Sequence, residues 1–229
     1  MVSIITCTMR PHAIKNVFSN YENQVYQDKE LIIVLNNDEM NLEEWKKKAN
    51  KYKNVSVYQL PSTVTQGECL NFAVKKSNYP YFAKFDDDDF YAPYYLSGSM
   101  RAFQLSGADI VGKRSIFCYL EASRVLAIRT PQYEHTFTNT VSGATLIIKK
   151  AVWNKINFEP LNYKSDTTFT AQATAQGYKI YSTDKYNFSC IRNADPEAHT
   201  WKLTDKDFLK KCEIVAQTKN FKPLVIKQP

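Results

Sequence analysis

Apolar residues fall in short, dense runs along the first hundred positions, separated by amphipathic stretches. Residues 2–8 and 30–35 have the continuous apolar character of strands buried on both faces. Between them Pro11 opens a segment in which Ile14, Val17, Phe18 and Tyr21 recur at helical spacing. Leu42, Trp45, Ala49 and Tyr52 mark a second helical stripe, with Asn41 as its cap and a Lys-rich face toward water. Residues 55–59 read as a strand, 68–76 as a helix and 81–85 as a fourth strand. This alternation predicts an α/β fold with a mostly parallel sheet covered on both sides.

The second half is less regular. Pro93 opens a helix to about residue 106, and residues 110–119 and 125–128 have hairpin character. Residues 129–142 are polar, aromatic and aperiodic, which predicts a mobile loop. A strand over 143–148, a helix over 166–176 stopped by Gly177, and strands over 179–181 and 186–191 follow. A basic helix is expected over 204–219. No stretch has linker composition, so residues 1–229 read as a single domain, its first half resembling a nucleotide-binding fold and its second half mixed.

Composition narrows the class. A chain of 229 residues that is 44% hydrophobic can bury one sizeable core. With 6 Gly, 9 Pro and no repeats, collagen-like, disordered and solenoid classes drop out. No apolar run approaches the roughly 20 residues that span a bilayer. Met1 leads straight into a strand pattern instead of a signal peptide, so a soluble intracellular (cytoplasmic) protein is expected. Cys7, Cys69, Cys118, Cys190 and Cys212 are odd in number and widely spaced, which reads as reduced thiols and not as a zinc site or disulfide framework. The net charge is +7, and the tail from Lys202 carries seven Lys against Asp205, Asp207 and Glu213. Such a tail is either a solvated helix face or a contact to an anionic partner such as the inner membrane surface. No nucleic-acid-binding motif accompanies it.

The sharpest chemical feature is Asp86-Asp87-Asp88-Asp89, set between the strand around Phe82 and the aromatic run Phe90-Tyr91-Ala92-Pro93. Like charges about 4 Å apart repel by roughly 4 kcal/mol at an effective dielectric near 20. An acidic block is ordinarily a solvated loop, but one pinned between core segments calls for a hard cation, and Mg²⁺ and Mn²⁺ prefer carboxylate oxygens. The carboxyl end of a parallel strand is also where open α/β sheets bind ligands.

The order of motifs resembles the family 2 glycosyltransferases of the GT-A fold. The run Val2-Ser3-Ile4-Ile5-Thr6-Cys7-Thr8 is similar to the family's first strand, and Gln27-Asp28-Lys29-Glu30-Leu31-Ile32-Ile33-Val34 to its second. Phe85-Asp86-Asp87-Asp88-Asp89 with Pro93 resembles the Asp-x-Asp signature. Gly143-Ala144-Thr145-Leu146 is similar to the acceptor-side strand, and Ser165-Asp166-Thr167-Thr168-Phe169 with Gly177-Tyr178 to the late acidic helix. Two departures stand out. Asn36 replaces the Asp that usually bonds the base, and Ser165-Asp166 stands where Glu-Asp is common.

The resemblance implies an inverting, metal-dependent transferase that moves a sugar from a nucleoside-diphosphate sugar, UDP-sugars first, to a hydroxyl acceptor in glycan synthesis. Residues 1–106 would bind the donor and 107–203 the acceptor, with 204–229 a basic helix and tail. Asp86 and Asp88 would hold Mn²⁺ or Mg²⁺ with His199; Thr8, Asn36, Asp86, Asp87 and Arg192 would contact the donor; Asp166 would be the general base. The competing reading is an inactive relative that binds nucleotide or sugar without turnover.

Overall fold

Successive side chains of the first strand enter different cores: Ile4 packs with Phe18, Ile33 and Trp45, and Ile5 with Ile32, Leu70 and Phe82. This is the period of a strand buried on both faces. The computed structural model describes residues 1–194 and 204–228. Strand β1 (Val2–Thr8) leads through a 3₁₀ turn at Pro11–Ala13 into helix α1 (Ile14–Glu22), then β2 (Lys29–Leu35), α2 (Leu42–Ala49), β3 (Val55–Gln59), α3 (Gln66–Lys76) and β4 (Tyr81–Lys84). After the acidic loop come β5 (Phe90–Tyr91), α4 (Tyr95–Ser106), β6 (Ile110–Gly112), β7 (Ile116–Leu120), β8 (Val125–Arg129) and β9 (Thr136–Thr138). The remainder is β10 (Ile147–Lys149), α5 (Lys150–Trp153), α6 (Ser165–Ala175), β11 (Ile180–Ser182), β12 (Phe188–Arg192), α7 (Asp205–Leu209), β13 (Cys212–Gln217) and α8 (Lys222–Val225).

Eight strands form the main sheet in the order β3-β2-β1-β4-β10-β6-β11-β9. The first four run parallel, and β10 enters antiparallel to both β4 and β6. A second sheet, β13-β8-β7-β12-β5, stands beside it. Local capping fixes the helix starts that position the site. The Asn41 side chain accepts from the Glu44 N–H, and Thr65 with Glu68 closes a capping box on α3.

Three expectations need correction. The basic helix predicted over 204–219 is a one-turn helix followed by a strand: α7 stops at Leu209, and β13 pairs antiparallel with β8. The ladder offered by β8 and the β-branched Ile214 and Val215 outweigh the helical spacing of the lysines. The loop expected over 129–142 contains the edge strand β9, three residues paired with β11 and too short to show a period. Residues 143–148 are a 3₁₀ turn, Gly143–Thr145, ahead of the short strand β10. Among the described residues no helix is long and apolar enough to cross a membrane.

Candidate active site

The carboxyl ends of β1, β2 and β4 lie side by side, so residues far apart in the chain meet there. The Asn36 N–H donates to the Thr8 carbonyl at 2.8 Å, and the Asn36 side-chain amide donates to the Pro61 carbonyl at 2.8 Å. Thr8 donates its hydroxyl to the Asp87 carboxylate, which also pairs with the Arg10 guanidinium. Arg10 reaches Asp88 as well, at 2.9 Å. Asp86 pairs with Lys84, a buried residue of β4.

Polar side chains of α1 hold the acidic loop in this shape. Asn16 donates to the carbonyls of Asp87 and Asp89, both at 2.9 Å, and Asn20 donates to Asp89 at 2.9 Å. Gln24 continues the stripe to the Ala92 carbonyl at 2.9 Å. On the other side the Tyr91 hydroxyl accepts from the Asp86 N–H at 2.8 Å and donates to the Ala144 carbonyl at 2.6 Å. One buried phenol thus ties the acidic loop to the Gly143 turn.

The loop's charge is only partly compensated. Asp89 is buried and accepts from the Ile191 N–H at 3.0 Å, and burial pushes its carboxyl well above the usual range. Burial raises Asp87 too, with Arg10 pulling it back. Asp88 keeps 46% of its side-chain surface in contact with solvent. It nevertheless stands in a recess whose walls displace much of its surrounding water, and that loss, with Asp87 alongside, pushes it up to about 6. Burial works against the ammonium of Lys84, but Asp86 and Asp166 outweigh it and hold the charge in place.

Two cavities meet at Asp88. One, of about 200 Å³, is walled by Arg10, His12, Asn16, Asp87 and Asp88. The other, of about 300 Å³, brings Asp86, Asp88 and Asp89 together with Asp166, Gly143 and Arg192. Asp166 opens α6, where one carboxylate oxygen accepts from the Thr167 N–H at 2.7 Å. Its other oxygen lies against Gly143, 1.4 Å from where a β-carbon would sit, so only glycine admits the carboxylate here. Arg192 is buried, stacks 4.6 Å over Phe208 and contacts Asp205 at 3.3 Å. His199 lies outside the described residues. Asp86 and Asp88 supply hard oxygen donors that suit a divalent cation, and the two fixed cations leave net negative charge around them. Among the described residues no cluster of three metal-ligating side chains is preformed.

The structure adds Arg10, Lys84, Tyr91 and the α1 amides to the residues expected from the sequence. The amides could have been found in the sequence as Asn16 and Asn20, four apart on a helix whose other face is core, with Gln24 four residues further on just past its end. Arg10 and Lys84 carry no such pattern.

An α/β sheet with acids at the end of β4, and a carboxylate facing them across a cavity, has the layout of the GT-A fold. The chain belongs to glycosyl transferase family 2, whose profile matches residues 3–186. No curated protein matches it in sequence. Among solved structures, residues 1–349 of S. aureus TarS in complex with UDP-GlcNAc align with a TM-score of 0.68 and 17% identity, covering 91% of this chain and 63% of that one. The mannosyltransferase PcManGT from Pyrobaculum calidifontis, in complex with GDP-Man and Mn²⁺, aligns with a TM-score of 0.63 and 16% identity, covering 86% and 58%. The chain therefore spans about three fifths of the length of these neighbours.

Proposed function

We propose that this chain moves a sugar from a nucleoside-diphosphate sugar to a hydroxyl acceptor with inversion at the anomeric carbon. The observation that supports it best is the continuity of the two cavities. Asp88 walls both, and Asp166 faces Asp86 and Asp88 across the larger one. Thr8, Asn36 and Asp87 lie on the donor side, where the ends of β1 and β2 would receive the base and ribose. UDP-sugars are ranked first from the family resemblance; of two neighbours of the same fold, one is bound to UDP-GlcNAc and the other to GDP-Man. The free oxygen of the Asn36 side chain would accept from a base N–H while its amide stays on Pro61.

Asp86 and Asp88 would hold Mn²⁺ or Mg²⁺, which when bound stabilises the charge of the departing diphosphate as a Lewis acid. Asp166 takes the proton of the acceptor hydroxyl as that oxygen attacks the anomeric carbon, opposite the leaving diphosphate. Arg192, buried in the same cavity, presents a guanidinium to that diphosphate.

A panel of nucleoside diphosphates with and without Mn²⁺ tests the donor site by thermal shift, because a ligand of the native state raises the melting temperature by mass action. UDP with Mn²⁺ should raise it, and Asp88→Asn should abolish the metal-dependent part while the protein stays folded. If no nucleotide moves the transition in the presence of metal, the donor-site reading fails. Binding without transfer or donor hydrolysis would identify an inactive relative instead.

A further inference from the structure

A third cavity, the largest of the three at about 690 Å³, opens on the other side of Asp166. It shares Ile116, Arg129, Ser142, Gly143 and Asp166 with the acidic cavity, so the two form one trough. Its balance of charge differs from its neighbour's, where four acids face Arg129 and Arg192. Arg114, Lys164 and the shared Arg129 line it, and among the described residues Asp166 at its inner end is its only acid. We infer that this cavity receives an anionic acceptor, a sugar or polyol bearing a phosphate or carboxylate group. The inference rests on the transferase reading and names the class of molecule that reading left open.

Arg114 carries most of the argument. Its neighbour Lys113 shows what a structural cation looks like in this fold: buried, and bonded to Thr183 at 3.0 Å and to Asp184 at 2.8 and 3.2 Å. Arg114 makes no ion pair with a carboxylate among the described residues. Its guanidinium stacks 4.4 Å from the ring of Tyr133 and donates only long bonds, 3.4 Å to Thr138 and 3.5 Å to the Thr140 carbonyl. Its Nε is buried and lacks a hydrogen-bond partner among the described residues. A guanidinium has five donors in a fixed fork that matches phosphate and carboxylate. Here the fork is oriented by stacking and its donors are largely uncommitted.

Lys164 stands at the rim with its backbone in the left-handed region, φ 63°. Glycine or asparagine takes that conformation most readily. The Lys164 carbonyl accepts from the Thr168 N–H at 2.8 Å, which needs only the backbone. Its ammonium is exposed and makes no ion pair among the described residues. The donor does not require these two cations, because its diphosphate falls on the acidic side of Asp166. An acceptor must bring its hydroxyl to Asp166 from the opposite side, past Arg114 and Lys164. The exposed ring of Tyr163 at the same rim offers an amphipathic face to a sugar.

The test is ligand-observed NMR titration of glucose 6-phosphate, glucuronate and glucose into the protein, alone and with saturating UDP and Mn²⁺. At least one anionic probe should bind about tenfold or more tightly than glucose, as charge-assisted bonds require, and UDP should not compete. The tighter of the two identifies phosphate or carboxylate as the recognised group. Arg114→Gln and Lys164→Asn should each weaken that binding about fivefold or more while leaving the UDP-induced thermal shift unchanged. Asparagine suits the left-handed backbone, so the Lys164 variant keeps the fold. Equal binding of glucose, absence of any anionic binding, survival of that binding in both variants, or its displacement by UDP would each overturn the inference. Failure of the transferase reading looks different: UDP would give no thermal shift, whatever the sugar probes do.

Discussion

Asp166 and Gly143 are a pair in which one residue's chemistry depends on the other's lack of a side chain. A positioned general base is worth about 10²- to 10⁴-fold in rate. Asp166→Asn should lower kcat by that order and leave the affinity for UDP and Mn²⁺ nearly intact. Gly143→Ala should give a similar loss with the carboxylate chemically intact but displaced, because the new methyl group occupies the place of the Asp166 oxygen. Full transfer by either variant, or a product with the donor's anomeric configuration, removes Asp166 from the role. Asp88 makes a prediction about pH. Its carboxyl is raised to about 6 in the folded protein, while an unfolded Asp titrates near 3.9. Between those values the native state binds more protons than the unfolded one, so ionising Asp88 removes stability as pH rises. In metal-free protein Asp88→Asn should match the parent below about pH 4 and become progressively more stable than it up to about pH 6. Melting curves of the two proteins across that range decide it, and a constant difference refutes the shift. The acids themselves were legible because four in a row between core segments is rare chemistry. Arg10 and Lys84 were not, since a single cation near a strand looks the same whether it pairs with the loop or with water.

At the level of elements, α6 carries the base at one end and an obligatory glycine beyond the other. Gly177 has φ 81°, and a β-carbon there would meet nothing within 4 Å, so the cost of a side chain is purely conformational. Gly177→Ala should destabilise the protein by about 1–2 kcal/mol and leave kcat unchanged, measured by denaturant melts alongside turnover. A large fall in kcat would mean that α6 shifts Asp166 when its end is disturbed. Most elements of residues 1–106 were readable because β1 and β2 are buried on both faces and the helices on one, so their periods are written in the sequence; the two-residue strand β5 is too short to show one. The second half breaks that rule. β9 is three residues long, β10 follows a 3₁₀ turn, and in β13 the ladder of β8 joins the β-branched Ile214 and Val215 in overriding the helical spacing of the lysines. Pairing of this sort is decided by the partner strand, which no local window contains.

Across the whole molecule, charge changes along one trough: the acids that follow β4, paired in part with Arg10 beyond β1, then Asp166 at the middle, then Arg114 and Lys164 beyond it. The second sheet supplies the walls on both sides, and one of its edge strands, β13, has a single partner among the described residues. Ile214 is 63% and Val215 41% exposed there. An uncovered ladder edge flanked by apolar side chains is a template on which another chain can lay a strand. The net charge of +7 opposes such contacts at low ionic strength, and salt screens that opposition. Concentrated protein should therefore self-associate as salt is added, and Ile214→Lys, a charge on the open edge, should suppress it, with light scattering as the readout. For anyone purifying this protein, the same strand sets the practical ceiling: storage in high salt, chosen to keep a basic protein off surfaces, is the condition that invites it to polymerise.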